Sequence, residues 1–501
     1  MLVACVAAWP ALAQPGLLNT RGGGDSPFLL QRLHQLTAAL AGGHFPARWM
    51  PDAAYGDGYP FFNFYAPLSL YIAAAFRALG FSFVRAIHLA QLAGFVVAGL
   101  GAYALGRRWL GSPWAGLLAA VAYTTAPFHM VNVYVRGDSL AEFWAMALYP
   151  LVLLAGEAVV RGSGSSGRRS AVGGQSPPAT RHAPLATRIA LFALAYAALI
   201  VCHNISALIF SPFLLLTLLV RWAQGRGGAG EQAFAAAPLP PRTPTPLPAI
   251  ALSLLLALAL AAWFFVPALA ERDLAQLGPV TAGYFHYANH FRGLDLVQLG
   301  ALFDYNPDGG VAFRLGLVQG VAALAGAGVL FWRGRRGTAL ALLGGWLLAV
   351  LMITPLSRPL WDHLPLLAYT QFPWRFLSVA ALFAALLTGG LAGAGENASP
   401  LLPRSPAPPP LIVLLTSLVL LASALLGLRT DHLILTDADV TAERLAQYEW
   451  FTGNIGTTVS AEYLPPAAVP RPWTSAWLNA GQRDRATAVA GELVMATLRT
   501  R

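Results

Sequence analysis

Lysine is missing from this chain, so all 32 of its basic residues are arginine. Cysteine is almost missing too: Cys5 and Cys202 are the only two, both in apolar stretches, which argues against a disulfide framework or a thiolate metal centre. Charge is scarce, at 11% of 501 residues against roughly 25% in an ordinary soluble domain. The formal charge of +10 is not a nucleic-acid footprint, because the arginines sit mainly in short loops between apolar blocks, where they act as topology signals. No Walker A sequence, no GxGxxG after a strand, no serine nucleophile elbow and no heptad array occurs. ATP-driven and dinucleotide chemistry therefore lose their usual support.

What is present is hydrophobicity, 56% of all residues, gathered in blocks near the ~20 residues that a helix needs to cross ~30 Å of hydrocarbon. The pattern predicts an all-α, polytopic transmembrane helix bundle with about eleven spans. They cover residues 1–13, 84–106, 113–131, 140–160, 186–202, 205–222, 248–270, 311–332, 338–355, 376–393 and 411–428. Basic loops stay on the cytoplasmic side. With the N-terminus inside, alternate loops hold Arg107 and Arg108; Arg161, Arg168, Arg169, Arg181 and Arg188; Arg221, Arg226 and Arg242; Arg333, Arg335 and Arg336; then Arg404. Two of these loops, 162–184 and 225–246, are rich in Gly, Ser and Pro and read as linkers. The register requires that the apolar stretch 61–80 does not span, and Pro67 with its flanking aromatics suits an interfacial helix. Residues 1–13 are short for a span; they read as a first helix lacking its N-terminal part, with a cleaved signal as the rival. Beyond 428 the composition turns polar, so residues 1–428 form the membrane domain. Residues 429–501 form an extracytoplasmic tail that reads as the start of a soluble module.

This topology collects the unusual polar residues in the outer loops. In the first, 14–83, Pro27 suits a first helical position and Ser26 its cap, while Leu29, Leu33, Leu36 and Leu40 form one stripe. An amphipathic helix on the outer membrane surface is expected, with Asp25 at its start after a glycine run, as a cap or as a ligand-facing carboxylate. In the second, Asp138 and Glu142 lie four apart at the start of a spanning helix and share one face. Carboxylates so close to hydrocarbon are functional candidates, and an ion pair with Arg136 is the structural alternative. His203-Asn204 interrupts an apolar run, as a helix-end hydrogen bond or as part of a site. His286 and His290 have the spacing of helical metal ligands, but no acidic general-base motif accompanies them. Trp374 beside Arg375 suits a sugar and a phosphate, or an interfacial anchor.

Taken in order, several stretches resemble the bacterial membrane proteins named after a pyruvoyl-tetrahydropterin-synthase-related domain, a label that implies no pterin chemistry. They are Gly24-Asp25-Ser26 with Arg32; Gly43 through His44 and Arg48 to Trp49; Tyr55-Gly56-Asp57 through Asn63 to Tyr65; Arg136-Gly-Asp138 with Glu142; His203-Asn204-Ile205-Ser206; and Gln371 to Arg375. That family is similar to the multi-pass GT-C glycosyltransferases, which use polyprenyl-phosphate sugars. The resemblance implies an essential acidic residue in the first outer loop, the place of Asp25, followed by interfacial helices. It carries to Asp138 only as an acidic position in the second outer loop. Catalysis is expected from Asp25, Asp138 and Glu142. Substrate contacts are expected from Arg32, His44, Arg48, Trp49, Tyr55, Asp57, Arg136, His203, Asn204, Trp374 and Arg375.

The partners so implied are the lipid bilayer, a polyprenyl-phosphate sugar donor and a cell-envelope glycan or lipid acceptor. No nucleotide cofactor is called for, and no metal ligand set is indicated. Two rivals share the helices: a transporter or flippase of lipid-linked sugars, and a non-catalytic membrane scaffold. A transporter places its polar groups near the bilayer midplane in broken helices, often in repeated halves, and neither an obvious repeat nor a mid-span charge is seen.

Overall fold

The computed structural model describes residues 1–20, 26–137, 139–163, 183–230, 245–393, 410–459 and 461–468. Among the described residues the chain is all-α apart from two pairs of two-residue strands. In chain order the first helices are α1 (Leu2–Leu12), α2 (Ser26–Ala41), α3 (Phe61–Phe64), α4 (Leu68–Ala78), α5 (Phe83–Leu110), α6 (Pro113–Thr124), α7 (Pro127–Tyr134), α8 (Leu140–Ser163) and α9 (Leu185–Cys202). Then follow α10 (Asn204–Gly230), α11 (Leu247–Ala270), α12 (Leu317–Trp332), α13 (Arg336–Leu351), α14 (Arg358–His363), α15 (Pro365–Ala368), α16 (Leu377–Gly389), α17 (Pro410–Leu425) and α18 (Ala442–Thr452).

Among the described residues six helical segments are long and apolar enough to cross a membrane: α5, α8, α9, α10, α11 and 373–392, which contains α16. Helices α13 and α14, bent by 87° at their break, make a seventh if counted as one span, and α1, α4, α12 and α17 are shorter apolar helices. The expected span 113–131 is not one helix. It stops at Thr124 and restarts at Pro127, because Pro disfavours helical geometry in the residue before it, and Ala126 is extended there. The 311–332 block also starts late, its first residues being spent on a turn and a short strand, Leu315–Gly316.

Capping explains the sharp ends of the central pair. The Ser82 hydroxyl accepts from the Arg85 N–H at the start of α5 and Gly111 closes it at φ 74°, a left-handed value that suits glycine. Ser112 caps α6, with Pro113 in its first turn. The two helices then pack face to face on glycine: a Cβ on Gly106 would come within 2.9 Å of Ala119 Cβ, so small residues set how closely the backbones approach. Helices α8 and α16 are central, each packed on α5; α11 is peripheral and meets the bundle through α9 and α8.

The non-spanning reading of 61–80 agrees with the length of α4, because 11 residues rise only ~16 Å. The first outer loop is nevertheless no free surface helix. Helix α2 buries its leucine stripe, with Leu40 only half-buried, and buries Gln31, Arg32 and Gln35 as well. What covers it is the end of the chain. Strand β1 (Leu17–Leu18) pairs antiparallel with His432–Leu433. Arg32 reaches Thr457, donating to its Oγ1 at 3.1 Å and its carbonyl at 2.9 Å. The buried Glu449 carboxylate on α18 accepts the backbone N–H groups of Ala54 (3.0 Å), Tyr55 (2.7 Å) and Gly456 (2.7 Å). The described part of the polar tail is thus folded onto the first outer loop.

Candidate functional site

At the loop end of α8, remote from Glu157, lies a cavity of about 1730 Å³, larger than the ~300–1,000 Å³ of ordinary small-molecule pockets. Arg136 follows the last turn of α7. Its Nη1 donates to Asn132 Oδ1 at 2.8 Å and to Glu142 Oε2 at 2.6 Å. Arg375 comes from the opposite side on the 3-10 turn Pro373–Phe376, after Gln371 at φ 64°. Its Nε lies 3.5 Å from the same Glu142 oxygen, and its Nη1 donates to Thr370 O at 3.1 Å. Glu142 is 1% exposed, and its Oε1 has no hydrogen-bond partner among the described residues.

Aromatic rings hold these cations in place. The Arg136 guanidinium lies 4.9 Å from the Trp374 ring, and Trp374 is stacked between Phe313 at 4.2 Å and Phe372 at 4.8 Å. Across the cavity Arg32 is caged by Phe28, Phe61 and Tyr65 at 5.5, 4.8 and 4.9 Å. Five arginines (32, 136, 272, 292 and 375) face three carboxylates (Glu142, Asp308 and Glu462) among the described residues of the lining. The balance favours an anionic ligand.

Of the expected residues, Glu142, Arg32, Arg136, His203, Asn204, Trp374 and Arg375 line this cavity. Asp25 and Asp138 lie outside the described residues. Their chain neighbours meet: Gly137 N–H donates to Thr20 Oγ1 at 3.1 Å, and a Cβ on Gly137 would stand 2.3 Å from that oxygen and 3.0 Å from Ser26 Cβ. Glycine at 137 thus lets this backbone come close to the side chains of Thr20 and Ser26. The ion-pair alternative for Arg136 and Glu142 is what is observed. His203 serves a helix end, its Nδ1 accepting the Ser206 N–H at 3.2 Å at the start of α10, while its ring still borders the cavity.

Five expected contacts are not brought to the cavity. His44 is exposed and bonds the Ala39 carbonyl beyond the end of α2. Arg48 ties Asn63 Oδ1 (2.9 Å) to the Trp263 carbonyl (3.1 Å). Trp49 is 54% exposed, and Asp57 is exposed with its N–H on Ala54 O. Tyr55 packs on Trp450 at 5.1 Å and gives its N–H to Glu449. The physical reason is shared: residues 44–59 form a side loop closed by the Met50–Tyr59 bridge and fastened to α18. Nor do His286 and His290 share a helical face. They flank the 3-10 turn Tyr287–Asn289, where His286 accepts the Ala288 N–H and His290 bonds the Tyr284 carbonyl. Sequence reasoning missed Arg272, Arg292, Asp308 and Glu462, which come from two segments with no local motif, the connection between α11 and α12 and the tail after α18.

Four of the five basic loops expected on one side send an arginine to one place, and the fifth, with Arg404, lies outside the described residues. Glu157, near the other end of α8, receives Arg108 Nε (2.7 Å), Arg161 Nη2 (2.7 Å) and Arg221 Nη2 (3.0 Å), together with Trp109 Nε1 (3.0 Å). Arg335 donates to the carbonyls of Trp109 and Leu110 at 2.7 and 2.8 Å. Fifteen helical residues separate Glu157 from Glu142, or ~22 Å.

Comparison with known proteins agrees with the family expectation. Residues 62–172 match the family described as 6-pyruvoyl-tetrahydropterin synthase related domain, membrane protein. No curated protein matches the chain. Among solved structures, the chain is similar to ArnT from Cupriavidus metallidurans bound to undecaprenyl phosphate, at 13% identity and TM-score 0.46, over 78% of this chain and 59% of that one. It is also similar to the Archaeoglobus fulgidus oligosaccharyltransferase in its apo form, at 14% identity and TM-score 0.44, over 90% of this chain and 56% of that one. The same organism's oligosaccharyltransferase AglB, in complex with an inhibitory peptide and a dolichol-phosphate, matches at 15% identity and TM-score 0.35, over 93% and 56%. The chain thus spans little more than half the length of these structures.

Proposed function

We propose that this protein is a membrane glycosyltransferase that moves a sugar from a polyprenyl-phosphate donor to a cell-envelope acceptor. The observation that carries the reading is the Arg136–Glu142–Arg375 triad beside a large, cationic, aromatic-walled cavity at one end of an apolar bundle. A lipid-linked sugar phosphate offers each part of that cavity something: a phosphate for the guanidiniums, a sugar face for aromatic rings, and a prenyl chain for apolar walls. The cavity would open outside the cell, since the arginine-rich end is retained in the cytoplasm; the N-terminus would then be cytoplasmic and the end of the chain extracytoplasmic.

Asp25 is the proposed general base, taking the acceptor hydroxyl proton as its oxygen attacks the anomeric carbon. The bond to phosphate breaks, and the leaving polyprenyl phosphate is stabilised by Arg136 and Arg375. Glu142, expected among the catalytic residues, is proposed as a positioning residue, because a carboxylate held by two guanidiniums is a weak proton acceptor. The transport rival asks for polar groups at a helix break, and the break between α13 and the next turn holds Met352, Ile353 and Thr354, none ionisable.

The test is transfer of labelled sugar from a polyprenyl-phosphate donor in proteoliposomes by wild type and Asp25→Asn. Asn keeps the volume and can cap a helix but cannot take the proton, so turnover should fall by about 10²–10⁴. Near-normal turnover in Asp25→Asn would remove Asp25 from the mechanism. Donor binding without transfer by the wild type would favour the scaffold or transport readings.

A further inference from the structure

A second, smaller cavity of about 190 Å³ lies at the arginine-rich end, between α10 and α13. Its depth is apolar, walled by Phe213 and Phe383, and its lip carries Leu216 and Leu340, 47% and 59% exposed, so it opens on the lipid-facing side of the bundle. One edge is polar, formed by Arg221 and Gln224. Arg221 gives Nη2 to Glu157 and Nη1 to Gln224, while its buried Nε has no partner among the described residues.

The charge around that edge does not balance. Among the described residues, Arg108, Arg161 and Arg221 share the carboxylate of Glu157, and Arg335 stands beside them on backbone carbonyls. Burial, and behind it the neighbouring Arg221, holds Arg335 below the usual guanidinium range. The two linkers entering this end cannot neutralise it, since by composition they add Arg168, Arg169, Arg181, Arg226 and Arg242 against one acid, Glu231. Basic pockets between membrane helices take anionic lipid head groups.

We propose that this cavity is a binding site for one anionic phospholipid, its phosphate at the Arg221 edge and one alkyl chain laid between α10 and α13 against Phe213 and Phe383. The occupant is a lipid rather than a free anion, because the greater part of the site is apolar and opens on hydrocarbon. It stands independently of the large cavity, which lies at the other end of α8.

The experiment is native mass spectrometry of the full chain released from nanodiscs of mixed phosphatidylglycerol and phosphatidylcholine. Wild type should retain one phosphatidylglycerol with a preference of about fivefold or more, the weight of one basic side chain near an anionic surface. Gly344→Leu fills the cavity from α13. A Cβ there meets nothing within 4 Å and leucine favours helix over glycine, so the fold is spared while retention should drop to the phosphatidylcholine level. Arg221→Gln should remove the head-group preference and leave Glu157 with two arginines. Equal retention of phosphatidylglycerol by wild type and Gly344→Leu, or no preference between the two lipids, overturns the proposal. So does loss of the retained phosphatidylglycerol when inorganic phosphate alone is added.

Discussion

Helix α8 carries two buried glutamates, ~22 Å apart, and the chain treats them in opposite ways. Glu157 is saturated: three arginines and an indole N–H converge on its two oxygens. Glu142 is deliberately underused. One oxygen takes Arg136 and Arg375, the other has no partner among the described residues, and the guanidiniums face open volume. A saturated buried charge joins helices; an unsaturated one beside a cavity leaves hydrogen-bonding capacity for a ligand. The same helix is thus a structural strut at one end and the wall of a site at the other.

The largest test of that contrast is Glu157→Ala. It removes the common counter-ion of three arginines and should cost several kcal/mol of stability, near the low end of the ~3–5 kcal/mol for breaking a buried pair. The low end applies because Arg108 and Arg161 keep 38% and 52% of their side chains exposed. The thermal unfolding midpoint in detergent reads it, and a midpoint unchanged from wild type would show that Glu157 joins nothing.

Next comes Glu142→Gln, whose effect should fall on chemistry. Losing the carboxylate lets Arg136 and Arg375 shift within their remaining contacts, and a misplacement of about 1 Å costs ~10²-fold in rate. The unfolding midpoint should move little, since Asn132, Thr370 and the Trp374 ring still hold the two arginines. If Glu142→Gln unfolds the protein as Glu157→Ala does, the two ends of α8 are alike and the contrast collapses.

The contrast was only half legible in the sequence. Glu142 stood out because Arg136, its partner, is six residues away, so a local reading sufficed. Arg375 was singled out as well, but nothing local joins it to Glu142. Glu157 is a lone acid in an apolar run and its meaning depends on arginines from three other loops. The helix break at Ala126-Pro127 was written in the proline, yet the apolar run around it outweighed that signal. Residues 44–59 misled because their aromatic and charged composition suits a ligand equally well. Their side chains are spent on a loop closure that involves residues some 395 positions away, a distance no periodicity reports.

The smallest effect concerns a third buried glutamate, Glu449, which has backbone N–H groups and no arginine. Burial pushes its carboxyl up, to about 7, against the three N–H donors. A carboxyl raised from 4.5 to about 7 binds a proton as the tail docks. Its contribution is therefore full below pH 4.5 and is lost as pH rises through 7. Hydrogen exchange of residues 442–459, corrected for intrinsic rates, should show weaker protection at pH 8 than at pH 6 in wild type. Glu449→Gln cannot titrate and loses one good acceptor, worth about 1 kcal/mol. It should start below wild type at pH 6, stay flat, and meet the wild-type curve near pH 8. Glu157, held by guanidiniums, gives no such window, so protection around 108–109 should stay level across the same range. Parallel curves for wild type and Glu449→Gln would mean that the three N–H groups keep Glu449 ionised throughout. The tail would then be clasped by a fixed charge, as α8 is at its arginine-rich end.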